Sequence, residues 1–198
     1  MPLKLNVVVG STRPGRLGPR IGRWVAEQAA AHGRFDVELV DLAAVGLPLL
    51  DEPGHPAAQA YVHEHTRRWS ATVAAADAFV FVTPEYDFFP PAALVNAVQV
   101  LLKEWACKPA GVVSYGGVSG GLRAAQVLRE LLANVNLHPL PQVVPVPFAP
   151  NLVAEDGAFR PAEQTAAGAA GMLDELHRWA VALKALRPEA EALPQKAA

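Results

Sequence analysis

Cysteine occurs once in 198 residues, at Cys107, so the chain can form neither an intrachain disulfide nor a Cys-x-x-Cys metal or redox site. Charge of either sign is in no excess. Seventeen Lys and Arg against nineteen Asp and Glu leave a formal net charge of −2, too little to draw in a nucleic acid backbone. No apolar run reaches the length of a membrane-spanning helix. The opening Met1-Pro2-Leu3-Lys4 runs straight into a strand-like segment and lacks the pattern of a secretory signal. The expectation is a cytoplasmic protein without nucleic acid or membrane partners. Two familiar phosphate motifs are also missing. Gly-Lys-Ser/Thr occurs nowhere, and Gly10, Gly15 and Gly18 do not have the spacing of Gly-x-Gly-x-x-Gly.

What is present is a core. Hydrophobic residues make up 52% and charged residues 18%, a balance that rules out disorder and suits one α/β domain over residues 1–186. Buried-strand runs fall at Leu3–Val9, Phe35–Leu42, Ala78–Thr83, Pro109–Tyr115 and Val143–Val146. Between and after them, helical spacing runs to about Ala31, from Gln59 to Ala76, Ala92 to Lys103, Leu122 to Val135, and Pro161 to Leu186. Such alternation predicts a parallel sheet covered by helices on both faces, with the proline-rich last strand at an edge and residues 187–198 as a mobile tail.

Three loops that follow strands carry the chemistry. Gly10–Gly18 offers hydroxyls, backbone N–H groups and arginines beside a helix N-terminus, donors suited to a terminal phosphate. Pro84–Pro91 offers Tyr86, Phe88 and Phe89, flat surfaces for a ring system. Ser114–Gly121 offers small residues that let the backbone come close to a planar ligand. Ligands in open α/β sheets bind beyond the carboxyl ends of strands, so all three loops should meet on one edge. A phosphate at one end and a flat ring at the other describe a mononucleotide-like cofactor.

Gly10-Ser11-Thr12-Arg13, Pro84-Glu85-Tyr86 and Ser114-Tyr115-Gly116-Gly117 together resemble the NADPH-dependent FMN reductase family. The resemblance implies a flavodoxin-like three-layer sandwich with a five-stranded parallel sheet of order 2-1-3-4-5. It implies FMN as cofactor, NADPH or NADH as cosubstrate, and a small acceptor such as a flavin, quinone, azo compound or metal oxyanion. Ser11, Arg13, Arg16 and the backbone through Leu17 and Gly18 would hold the phosphate. Pro84, Glu85, Tyr86 and Asp87 would border the isoalloxazine ring, with Ser114, Tyr115, Gly116 and Gly117 along its other side. The flavin would carry the chemistry, with no catalytic side chain and no metal. A homodimer or homotetramer is implied as well.

The chain departs from the family pattern at Asp87, where Asn is usual, at Phe88-Phe89, and at Val95 and Gln99, where Lys and Asp are common; Asn96 and Ala97 remain. An electron carrier of flavodoxin type and a cofactor-free interaction protein are the competing expectations. The charge of −2 speaks against the first, and the intact Ser11, Arg13, Tyr86 and Gly116-Gly117 against the second. Elsewhere, His63 and His65 are two apart, a spacing that places them on different sides of a helix, and with His55 and Glu64 they read as a solvated helix start. Cys107 reads as a small apolar residue, and Trp69 and Trp179 as core. Trp24 and Trp105 fit either core or interface. Phe88, Phe89 and Trp105 are expected to form an aromatic surface covered by a second copy.

Overall fold

The structure is a computed structural model and describes residues 2–187. Five parallel strands, β1 (Leu3–Val9), β2 (Phe35–Asp41), β3 (Ala78–Pro84), β4 (Lys108–Tyr115) and β5 (Leu137–Val146), lie in the order β2-β1-β3-β4-β5. The helices are α1 (Gly18–His32), α2 (Leu42–Val45), α3 (Glu64–Ala75), α4 (Ala92–Gln99), α5 (Leu122–Asn134) and α6 (Glu163–Lys184).

Because successive side chains on a strand point to opposite faces, the Val-rich central strands feed two cores at once. Leu5, Val7, Val80 and Val82 join Ile21, Trp24, Leu173 and Leu176 under α1 and α6. Val8, Phe79 and Phe81 join Trp69, Leu94, Trp105 and Leu128 under α3, α4 and α5. Trp24 and Trp105 are both core. Trp105 has no exposed surface and meets Phe79 edge-on at 5.0 Å, so it cannot belong to an aromatic interface patch. Trp179 is only partly buried.

Three elements differ from the sequence expectation, each for a local reason. The helix expected from Gln59 begins only at Glu64, because the Glu52 carboxylate takes the N–H groups of Val62 and His63 at 2.8 and 3.0 Å and holds this stretch extended. The helix from Ala92 stops at Gln99, and a 3₁₀ turn at Lys103–Trp105 inserts the Trp105 indole, whose N–H donates to the Val98 carbonyl. The last strand starts at Leu137, despite Pro139 and Pro141. It is an edge strand, where a missing N–H costs no ladder bond on the open side, and a register shift between Ala110 and Val112 accommodates the irregularity. Arg187, placed in the tail from sequence, is held by the Asp77 carboxylate at 2.6 Å and the Cys107 carbonyl at 3.2 Å; the rest of that tail, 188–198, lies outside the described residues.

Candidate functional site

The loops after β1, β3 and β4 do converge, and the loop after β5 joins them. Together they form an open cleft of about 440 Å³ at the carboxyl edge of the sheet.

One end of the cleft is the β1–α1 loop. Arg13, Arg16 and Leu17 line it, while Ser11 and Gly18 lie buried behind. The Ser11 and Tyr86 hydroxyls are hydrogen-bonded at 2.8 Å, tying the β1–α1 loop to the loop after β3. Gly18 starts α1 in contact with the β-sheet. A Cβ there would lie 2.8 Å from Val9 and 3.0 Å from the Tyr115 hydroxyl, so a larger residue would push the helix N-terminus off the sheet. That N-terminus has no side-chain cap and no acidic residue in its first turn, which leaves its positive dipole end unanswered, although Pro19 carries no N–H and the Arg20 and Ile21 N–H groups both go to the Leu17 carbonyl. Arg16 is committed elsewhere: its guanidinium pairs with Asp41 at 2.5 Å, and Asp41 also caps α2 through the Ala43 N–H. Arg13 makes no ion pair among the described residues.

The other end is built by β3 and β4. Pro84, Glu85 and Tyr86 form one wall, and Tyr115, Gly116 and Gly117 face them. Tyr86 and Phe89 exchange two backbone hydrogen bonds of 2.9 Å around a turn whose central residues, Asp87 and Phe88, both have positive φ, 47° and 73°. Asp87 sits exposed at the apex and does not line the cleft. The Glu85 carboxylate is bonded to the start of α5. It accepts from the Arg123 and Ala124 N–H groups at 3.1 and 3.4 Å and from the Ser119 hydroxyl at 3.1 Å, and it pairs with the Arg123 guanidinium. Burial pushes this carboxyl up, but those donors outweigh it and hold the pKa below the usual carboxylate value. Ser114 likewise serves the loop, donating to the Gly120 carbonyl at 2.8 Å and not reaching the cleft.

Sequence reasoning missed the fourth wall, Phe148, Ala149, Pro150 and Asn151. Its backbone is stitched to the glycine loop, Phe148 N–H to Gly117 and Ala149 N–H to Gly116. The signal was available, since this segment follows the last strand at the same sheet edge. Asn96, kept from the family pattern, lies outside the cleft and fixes the 48–50 loop through the Pro48 carbonyl and the Leu50 N–H.

The arrangement fits FMN at the phosphate end on a direct observation. The Tyr115 hydroxyl and the Arg16 Nε, both at this loop, are buried without a hydrogen-bond partner. Burial raises the Tyr115 pKa, so its hydroxyl stays protonated. A loop with more donors than the protein itself satisfies is suited to an anion with several oxygens.

A sequence model for NADPH-dependent FMN reductase matches residues 3–151. The chain is 31% identical over 202 residues to an NAD(P)H-dependent FMN reductase of Nectria sp, covering 97% of this chain and 98% of that one. It is 46% identical over 126 residues to one of Schizosaccharomyces pombe, an alignment that spans 63% of each and so just under two thirds of that relative. More distant relatives bear the names 2-hydroxy-1,4-benzoquinone reductase and NADPH azoreductase. Among solved structures, a flavoenzyme NAD(P)H:(acceptor) oxidoreductase from Paracoccus denitrificans superposes with a TM-score of 0.71 over 91% of this chain and 98% of that one, at 23% identity, which is a likeness of fold.

Proposed function

The chain belongs to the NADPH-dependent FMN reductase family, flavin-dependent oxidoreductases using NAD(P)H, and we propose that its cleft holds FMN and serves electron transfer from NADPH to a small planar acceptor. The observation that carries this reading is a single cleft with unsatisfied donors at one end and flat walls at the other.

When bound, FMN would supply the hydride and electron-transfer chemistry. The chain's own residues bind and orient. Arg13, Leu17 and the positive dipole end of α1 would hold the phosphate. Tyr86, anchored through Ser11, and Gly116-Gly117 would flank the ring. Glu85, the carboxylate beside the cleft, is engaged in capping α5 and has no proton to offer, which accords with a reaction that asks for no general acid. The open mouth leaves room for a nicotinamide and an acceptor in turn. Quinones and azo compounds fit as acceptors because they are flat and are reduced by relatives so named.

No helix among the described residues is long and apolar enough to cross a membrane. Within this reading the protein works in the cytoplasm as a homo-oligomer, the latter supported by Phe89, Val118 and Phe148, all more than half exposed.

The test is anaerobic titration of the FMN-loaded protein with NADPH and with NADH, following the flavin's visible absorption. Bleaching by either nucleotide, and recovery on adding a benzoquinone, is expected, with solution mass above the 21.0 kDa of one chain. A bound flavin that stays oxidised in excess of both nucleotides overturns the reductase reading in favour of an electron carrier.

A further inference from the structure

The Tyr86–Phe89 turn is unusual for its sequence. Positive φ at both central residues is the pattern of a type I′ turn, which favours Asn-Gly or Asp-Gly. Here the second position is Phe88, with φ 73°. A bulky side chain in this region is a strained arrangement that persists only when its surroundings hold it. What holds it is visible. The Phe88 ring lies against the Arg123 guanidinium, 3.8 Å from carbon to ring centroid, although the residue is 56% exposed. Arg123 is itself fixed by the Glu85 carboxylate and by the Ser119 hydroxyl at 3.2 Å. The turn that follows Tyr86 is thereby fastened to the start of α5.

We infer that Phe88 and Arg123 form a latch that keeps Tyr86 in place as a wall of the flavin site, an inference that rests on the function proposed above. Neither residue lines the cleft, so both are positioning residues acting through Tyr86. The exposed cation–π stack adds to the two Tyr86–Phe89 backbone hydrogen bonds and offsets part of the strain of the turn. The turn is therefore poised, and losing the stack lets it relax and carry the Tyr86 hydroxyl away from Ser11. A glycine at position 88 removes the strain and with it the need for the latch.

This logic fixes an order of variants that a merely structural surface residue would not produce. Flavin-free protein would be titrated with FMN and with riboflavin, following flavin fluorescence, with a urea midpoint for each variant. Phe88→Ala and Arg123→Gln should weaken both ligands by the same factor, about two- to fivefold. Phe88→Tyr, which keeps the ring face, and Phe88→Gly should both bind as the unmodified protein does. In the Phe88→Gly background, Arg123→Gln should cost nothing further. Equal binding by Phe88→Ala and unmodified protein overturns the latch, as does a Phe88→Gly variant as weak as Phe88→Ala. A loss that falls on FMN alone overturns it too, because the latch acts on the ring end. Loss of affinity matched by a fall in the urea midpoint would place the effect in the fold and overturn it as well. If unmodified protein binds neither flavin, the flavin site and the latch fall together.

Discussion

Arg13 and Arg16 share one loop, and nothing in their residue type separates them, yet their surroundings give them different work. Arg16 is half-buried and paired to Asp41, so its charge is largely answered within the protein and serves to hold the loop against the end of β2. Arg13 is exposed on the cleft wall with no acidic partner among the described residues. A charge-assisted hydrogen bond to phosphate contributes about 1.5–3 kcal/mol. Arg13→Ala should therefore weaken FMN roughly ten- to a hundredfold while leaving riboflavin, which has no phosphate, nearly unchanged. Fluorescence titration with both ligands checks this, and equal losses would place Arg13 away from the phosphate. The motif was legible in the sequence as a cluster of arginines. Which of them remained free was not, because that depends on Asp41, brought alongside only by strand pairing.

At the scale of elements, Glu85 shows how a strand end can organise a helix far along the chain. Its carboxylate supplies the cap that Gly121, with φ 82°, cannot supply from its own side chain. Gly121 has to be glycine for a second reason, since a Cβ would come within 2.7 Å of the Tyr115 backbone N. Glu85→Ala should cost about 1 kcal/mol, the size of a lost cap, and loosen the 116–121 loop so that FMN and riboflavin suffer alike. The pH dependence follows from the depressed pKa. The contribution is present above the unfolded carboxylate value, about 4.3, and is lost as pH falls through the lower folded value. Acid unfolding of the Glu85→Ala variant should therefore lack this part of the pH dependence, as urea titrations between neutral and acidic pH would reveal. The sequence marked Glu85 through the Pro-Glu-Tyr motif, but not that its carboxylate would cap α5, whose first N–H groups are brought to it only by the fold. Strand and helix types were legible from apolar runs and spacing. Boundaries were not, because Glu52 competing for the Val62 and His63 amides, or an edge strand tolerating Pro139, is a tertiary event.

Across the whole molecule, the two edges of the sheet have different chemistry. The carboxyl edge leaves donors unanswered and forms the cleft, while the amino edge is closed by a polar clamp. There Asp77 accepts from the Lys4 N–H and from Arg187, and pairs with Lys184, joining β1, β3 and the end of α6. Lys108, at the start of β4, lies buried with its Nζ donating to the Val73 and Ala74 carbonyls in the last turn of α3 at 2.7 and 3.0 Å; Val73 also accepts the Ala76 N–H. Burial and the nearby Arg187 lower its pKa to about 7, against the opposing pull of Asp77 and Glu104. A neutral amine still has N–H groups enough for both carbonyls, so deprotonation relieves desolvation without breaking the bonds. With the folded pKa below the unfolded value of about 10.4, the unfolded chain holds the proton in the interval between them and the folded chain does not. Stability should therefore rise with pH across that interval, by on the order of 1 kcal/mol per pH unit from this group alone. Urea midpoints at neutral and mildly alkaline pH, with FMN saturating throughout, should climb for the unmodified protein. Lys108→Met takes one donor from each of the two carbonyls and should be less stable, but that loss does not titrate, so its profile should be flatter over the same range. Parallel profiles for the two proteins would mean that Lys108 stays charged in the fold, held so by Asp77, Glu104 and the α3 carbonyls.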